Sequence, residues 1–122
     1  MDDSKGAQFL LHSNFRVFSK AITTLSRISE DVLFDVGEHG LHLKSINRSK
    51  SAYGVFRFTP TFFAEVDLGT IEREKSNICR LSMKAALDIS KGVKFNDTNF
   101  VSCSFNVDPK SDTMRWKIEF HY

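Results

Sequence analysis

The chain has 122 residues, the length of one domain built around one hydrophobic core. Apolar residues make up 41% of it and charged residues 26%, which excludes a disordered or a fibrous protein. A net charge of +2 does not by itself indicate a nucleic-acid-binding protein. The charge is unevenly placed, however: residues 4–29 contain four basic residues and no acid, so they contribute +4 and the rest of the chain −2.

An amphipathic helix is predicted inside this basic segment. The strand Ala7–His12 precedes it, Ser13 or Asn14 can supply an N-cap oxygen, and the helix should end near Arg27. Its apolar residues recur at intervals of three or four: Phe15, Phe18, Ile22 and Leu25. Its opposite face carries Arg16, Lys20, Thr23 and Arg27. All charges on this face are positive, whereas a face that is merely solvated usually mixes both signs.

After the helix the apolar period changes to two, which indicates strands. The predicted segments are, in chain order, strand Val32–Val36, turn Gly37–Gly40, strand Leu41–Ile46, turn Asn47–Lys50, strand Ala52–Phe58, an edge strand or helical turn at Phe62–Leu68, and a polar loop at Gly69–Asn77. The remaining segments are strand Ile78–Met83, helix Lys84–Lys91 ended by Gly92, and strands Val93–Phe95, Phe100–Val107 and Thr113–His121.

This order, β-α-β-β-β-β-β-α-β-β-β, predicts an α+β fold of antiparallel sheets with both helices on one face. The apolar stripes of the helices would then face the sheet, and their basic faces would point away together. The second helix adds Lys84 and Lys91, seven residues apart, although Asp88 lies between them. Two interpretations of this basic surface stay open: contact with a polyanion, or ordinary solvation of a helix face.

The sequence contains no recognisable catalytic or cofactor motif. A phosphate-binding glycine loop and a nucleophile elbow are both missing, so we expect a protein that is not an enzyme and that binds no cofactor and no metal. His39 and His42 lie in and just after a turn, where we expect a solvated pair rather than metal ligands. Cys79 and Cys103 fit small core residues in a reducing compartment. With no signal peptide and no apolar run of about 18 residues, the chain is expected to be soluble and intracellular.

Several short segments resemble a known family. They are Ser19–Ala21, Leu25–Ile28, Gly40–Leu43, Asn47–Tyr53 and Phe58–Phe63. With the order of the elements, they resemble the processivity-clamp fold, of which the replication clamp PCNA is the best-known example. Within that fold they are similar to the N-terminal domain of the Rad-nine subunit of the DNA-damage checkpoint clamp, the nine-one-one complex. The close resemblance covers residues 14–63, and from 64 to 122 only the order of the elements agrees. We expect residues 1–122 to form one clamp-type domain.

The resemblance implies a nuclear scaffold protein rather than an enzyme. Such a clamp is a heterotrimeric ring of six domains, two per subunit, whose helices line a hole for duplex DNA. A clamp loader that uses ATP opens and closes the ring. A few cations that contact phosphates without reading the bases are enough for a ring, so a net charge of +2 is sufficient. The residues that the resemblance places toward DNA are Arg16, Lys20, Arg27, Lys84 and Lys91.

The same resemblance implies surfaces for protein partners. Ile46 and Tyr53 would form the apolar wall of a partner-peptide pocket, with a role in the core as the alternative. Strands Thr113–His121 and Ala52–Phe58 would be edges that meet another subunit or the second domain, and such edges favour association. The edge residues of interest are Arg57, Arg115, Trp116, Lys117 and Glu119. The second domain would begin soon after Tyr122, so the chain would be either a cut-out domain or a natural short form.

Two other functions stay open. An α+β domain whose twelve Phe residues enclose a cavity could bind a small apolar ligand. The second alternative is a subunit of a replication-type clamp without a checkpoint role. The resemblance of the segment Asn47–Tyr53 favours the checkpoint clamp over this alternative. Exposed basic helix faces would favour a clamp, and covered ones a ligand-binding protein.

Overall fold

A computed structural model describes residues 6–72, 77–93 and 98–122. Its elements are, in chain order, β1 (Ala7–Leu11), α1 (Phe15–Leu25), β2 (Asp31–Gly37), β3 (Gly40–Ile46), β4 (Tyr53–Phe58), a 3₁₀ turn (Pro60–Phe62), β5 (Glu65–Asp67), β6 (Asn77–Ser82), α2 (Met83–Lys91), β7 (Phe100–Asp108) and β8 (Thr113–Phe120). The strands form two antiparallel sheets, in the orders β5-β1-β7-β8 and β4-β3-β2-β6. The two helices pack against each other and against the second sheet. The predicted α+β class is confirmed.

The prediction of an edge strand or a helical turn at Phe62–Leu68 is confirmed, since the segment contains the end of the 3₁₀ turn and then β5, the outer strand of the first sheet. The strand predicted at Val93–Phe95 is not present at Val93, which is buried but outside any strand, and residues 94–97 lie outside the described residues. In the described ranges, neither helix is long and apolar enough to cross a membrane.

The start of α1 does not have the predicted cap. Asn14 occupies the N-cap position, but its backbone is already helical (φ −72°, ψ −4°) and its side chain accepts no capping hydrogen bond. A capping side chain normally acts from an extended backbone. The Asn14 Nδ2 instead donates to the main-chain oxygen of Phe62 at 2.7 Å, which ties the helix start to the 3₁₀ turn. The helix ends at Leu25, so Arg27 lies in the turn that follows.

Aromatic rings fill the interior between α1 and the two sheets. The ring centroid of Phe18 lies 5.6 Å from that of Phe105 in the first sheet and 5.7 Å from that of Phe58 in the second. Phe34 and Phe105 belong to different sheets and are 5.9 Å apart. These are distances of direct ring-to-ring contact. Among the described residues these rings are in direct contact with one another, which favours a packed core over the alternative of a Phe-lined cavity.

A tight hairpin joins β2 and β3. Its two-residue turn sets Gly37 opposite Gly40, and the register then places Asp35 opposite His42. Gly40 has φ +99°, and a Cβ atom there would collide with the main-chain oxygen of Phe58. Only glycine combines this backbone conformation with so close an approach of a neighbouring strand. The hairpin therefore has a fixed register, which positions the side chains at its tip.

The two cysteines belong to the core, as predicted. Cys79 and Cys103 are buried free thiols. Burial raises the pKa of each to about 12, and hydrogen bonding to Asp112 adds to the effect at Cys79. Thiols with such a pKa stay protonated near neutral pH and are poor nucleophiles.

Candidate nucleic-acid interface

The outward face of α1 is basic. Phe15, Phe18, Ile22 and Leu25 are all buried, as the spacing predicts. Arg16 and Lys20 are exposed on the opposite face, and Arg27 is exposed in the turn beyond the helix. No acidic residue occurs between residues 6 and 29, so the charged side chains of α1 itself are all positive.

α2 extends this surface but mixes the signs of its charges. Its buried residues are Met83, Ala86 and Ser90, whereas Lys84, Asp88 and Lys91 are exposed. The hydroxyl of Ser82 caps the helix by accepting from the amide of Ala85 at 3.2 Å. An open groove between α2 and the end of α1 carries both lysines together with Glu30, Asp31 and Asp88. The positive charges are therefore concentrated along α1, whereas the groove where the helices meet carries three acids against two lysines.

A second open groove adds cations that the sequence analysis missed. It runs beside Arg27, between the turn at residues 26–31 and the second sheet, and its charged residues are Arg27, Glu30, Asp31, Lys44, Arg48 and Arg80. Leu33 stands opposite Lys44 on one side and Arg80 on the other, so these three side chains share one face of the sheet. Lys44 and Arg80 lie on different strands and Arg48 in the turn after β3, so the spacing within one element could not have brought them together. For Lys44 the sequence did contain a signal, because the predicted hairpin turn fixes the β2–β3 register and so sets Lys44 opposite Leu33.

Ile46 and Tyr53 are neighbours on the same face of the second sheet. They are directly opposite each other in the β3–β4 register, and they are 44% and 59% exposed. The alternative that they belong to the core is therefore wrong. They form an exposed apolar pair where β3 ends and β4 begins, and their role in a partner pocket stays a prediction.

β4 and β8 are outer strands of the two sheets. Arg57 on β4 and Arg115 and Lys117 on β8 are exposed. The Lys117 ammonium lies 2.9 Å from the Glu119 carboxylate, and this hydrogen bond lowers the pKa of Glu119. Charges of this kind discourage unspecific pairing of an edge strand. That these edges join subunits or domains stays a prediction.

Trp116 alternates with these charges on β8 and points inward. Its ring centroid lies 4.7 Å from that of Phe105 and 5.9 Å from that of Phe34. The indole Nε1 is buried and has no hydrogen-bond partner among the described residues. Trp116 therefore belongs to the core side of the edge strand and offers no side chain for an edge contact.

The tip of the β2–β3 hairpin brings together Asp35, His39 and His42; the sequence analysis paired the two histidines but did not include Asp35. A possible ligand atom from each lies within 4.8 Å of those from the other two. The His39 and His42 ring centroids are 4.2 Å apart. The pKa of His42 is lowered, first by burial and then by its His39 neighbour; Lys44 and Arg57 act in the same direction and Asp35 opposes them. The two histidines are a pair, as predicted, and His39 is exposed; Asp35 is the neighbour that the prediction did not include.

Solved structures of sliding clamps have the same fold. The PCNA2–PCNA3 complex from Sulfolobus tokodaii matches with a TM-score of 0.72 over 94% of this chain and 42% of that chain, at 18% identity. The structure of the C-terminal region of FEN-1 bound to A. fulgidus PCNA matches with a TM-score of 0.65 over 85% of this chain and 37% of that chain, at 18% identity. PCNA from Thermococcus kodakaraensis matches with a TM-score of 0.61 over 93% of this chain and 46% of that chain, at 16% identity. The fold is that of a PCNA-like clamp domain.

Sequence comparison narrows this class to one family. The Rad9 family model matches residues 18–121. Cell cycle checkpoint protein hpr-9 of Caenorhabditis elegans is 50% identical over 121 residues, 99% of this chain and 23% of hpr-9. Cell cycle checkpoint control protein Rad9 of Drosophila melanogaster is 26% identical over 95 residues, 78% of this chain and 19% of that protein. The chain belongs to the Rad9 family, and it spans about a fifth of the length of these curated relatives. The predicted resemblance is confirmed.

Proposed function

We propose that the chain is a non-catalytic domain of one subunit of a heterotrimeric sliding clamp. The clamp would encircle duplex DNA and act as a scaffold in DNA-damage checkpoint signalling and repair in the nucleus. Its partners would be the two other checkpoint-clamp subunits, DNA held without sequence specificity, and a clamp loader. Residues 1–122 would form one clamp-type domain, half of a two-domain ring subunit.

The basic face of α1 carries this proposal. Arg16 and Lys20 are exposed opposite a fully buried apolar stripe, in a chain with the PCNA-like fold and Rad9 family membership. Cations on one helix face can contact successive phosphates without touching the bases. Each such contact is weak and depends on salt, which suits a ring that is held on DNA by its closed shape and must still slide.

The outer strands support assembly with other subunits. β4 and β8 are long edge strands whose hydrogen-bonding groups can pair with a neighbouring chain. Their charged residues, Arg57 on one edge and Arg115, Lys117 and Glu119 on the other, would select a complementary partner edge.

Reversal of two charges tests the DNA-facing role. In the assembled clamp, Lys20→Glu with Arg27→Glu should weaken DNA association. If both residues contact phosphates, the slope of log K against log salt should fall by roughly 1.8, since each lost contact removes about 0.9. A control with the same change of net charge is Lys50→Glu with Lys110→Glu, at two exposed turn positions. Equal weakening by both pairs would assign the effect to net charge and refute a specific DNA-facing role for α1.

Co-expression tests the assembly. The chain, extended by the second clamp-type domain that the resemblance implies, should co-elute with the two other checkpoint-clamp subunits in size-exclusion chromatography. Failure to co-elute, with each subunit folded by circular dichroism, would refute the assignment as a clamp subunit. If assembly succeeds but the charge reversal has no effect on DNA association, only the DNA-facing role of α1 is refuted.

A further inference from the structure

Three potential metal ligands meet at the tip of the β2–β3 hairpin, on the outer face of the second sheet. Asp35 and His42 are opposite each other on the two strands, so their side chains point the same way. His39 comes from the two-residue turn and folds back over this pair, with its Nε2 3.1 Å from the main-chain oxygen of Asp35. The set of two imidazoles and one carboxylate is therefore positioned by a hairpin of fixed register.

The Asp35 carboxylate has one oxygen engaged and one available. The Lys44 ammonium donates to Oδ2 at 3.0 Å, which fixes the orientation of the carboxylate. Oδ1 has no hydrogen-bond partner among the described residues, although the Asp35 side chain is only 6% exposed. A buried carboxylate oxygen without a partner is costly. In metal sites, a ligating carboxylate is commonly held by a second polar group in this way.

The distances are close to those of a zinc site. Oδ1 of Asp35 lies 4.0 Å from Nε2 of His39, and the three ligand atoms all lie within 4.8 Å of one another. Zinc bonds of about 2.0–2.2 Å in a tetrahedral arrangement put neighbouring ligand atoms about 3.4 Å apart. The atoms must therefore approach by roughly 1 Å, and the His39 ring must give up the hydrogen bond of its Nε2 to the main-chain oxygen of Asp35 so that an unprotonated nitrogen faces the ion. Rotation of the exposed His39 ring and a small adjustment at His42 can supply both changes.

We propose that Asp35, His39 and His42 bind one Zn²⁺ ion, with a fourth position open to water or to a side chain of a partner protein. Two imidazoles favour zinc and similar transition metals over Mg²⁺ or Ca²⁺, which prefer oxygen ligands. The ion would satisfy Oδ1 and link the turn to both strands, and it would therefore stiffen the hairpin.

Zinc binding to the 122-residue chain tests the proposal. Equilibrium dialysis against ZnCl₂, with MgCl₂ present in excess, should give one Zn²⁺ per chain. His39→Gln and His42→Gln should each weaken binding by more than about tenfold, since loss of a partner that only supports a ligand already costs about 10–100-fold. His12→Gln is the matched control, because His12 is exposed and lies outside the cluster. Circular dichroism should show that all three variants are folded.

A measurement on the unaltered chain keeps the test independent of the variants. Zn²⁺ titration followed by NMR should shift the imidazole signals of His39 and His42 and leave those of His12 and His121 in place. Equal binding by wild type and both cluster variants would overturn the proposal. The proposal would also be overturned if His12→Gln lost as much zinc affinity as the cluster variants, or if Mg²⁺ displaced Zn²⁺. Equal NMR shifts of all four histidines would overturn it as well.

Discussion

Phe18→Ala tests whether one side chain of α1 joins the helix to both sheets. Phe18 is fully buried, and its ring contacts five other aromatic rings: Phe15, Phe34, Phe58, Phe105 and Trp116. Truncation of a buried Phe to Ala typically costs about 3–5 kcal/mol, and lost ring contacts favour the upper part of that range. We expect a loss of about 4 kcal/mol, a large part of the roughly 5–15 kcal/mol that stabilises a typical domain.

Urea unfolding measures this loss. With a slope of about 1.5 kcal/mol per molar, the unfolding midpoint should fall by roughly 2.7 M. Circular dichroism and the fluorescence of Trp116, the single tryptophan, provide two signals for the transition. Phe18→Leu retains more of the side-chain volume and should cost about 1–2 kcal/mol, so it remains measurable if the alanine variant does not fold.

The neighbouring residue is the matched control. Val17 lies on the same helix and is 52% exposed, so Val17→Ala should change the free energy of unfolding by less than about 0.5 kcal/mol. A Phe18→Ala loss below about 1 kcal/mol, or one equal to that of Val17→Ala, would refute the inference that Phe18 is the central contact of the core.

Three further predictions concern turns, caps and protonation. Gly40→Ala should destabilise the chain by at least about 1–3 kcal/mol in thermal unfolding, because of its positive φ and the collision with the Phe58 oxygen. Gly37→Ala should cost less, since the added Cβ would meet only a movable side chain. Ser82→Ala should lower the stability by about 1 kcal/mol in urea unfolding through loss of the α2 cap, and no change would contradict the capping role. NMR titration in a chelating buffer should give His42 a pKa below 6.5, because burial and the adjacent imidazole disfavour its charged form. The unfolded chain then binds this proton more tightly, so stability should fall as the pH drops below about 6.5, and His42→Gln should reduce that dependence.

Local periodicity was sufficient to predict most of the elements. The apolar residues of α1 recur at helical spacing and are the ones that the structure buries, and the change to period two marks β2 and β3. The cap at Asn14 was predicted wrongly because its side chain bonds to Phe62, 48 residues away, and local sequence contains no signal for that contact. Tertiary contacts of this kind decide how an element begins, even where its existence is clear from the sequence.

The candidate sites were only partly predictable for a similar reason. The basic face of α1 lies within one element, so the spacing of Arg16 and Lys20 was enough to place both on the solvent side. The cluster at the hairpin tip depends on cross-strand register. Counting back two residues from Gly37 and forward two from Gly40 sets Asp35 against His42, so the turn contained that information. The position of His39 depends on the conformation of the turn itself, which the sequence does not specify.

The outer strands β4 and β8 give the domain two edges that are not equivalent. β4 has six residues with Arg57 exposed, and β8 has eight with Arg115 and Lys117 exposed, so the edges differ in length and in charge. Two copies that meet through the same edge form a two-fold contact, which stops at two copies. Repeated contacts between unlike edges run head to tail, and the rotation at each contact decides whether they close into a ring or continue as an open filament. The angle between neighbouring domains therefore decides whether such an assembly closes into a ring, in which every edge is paired, or stays open, with one unpaired edge at each end.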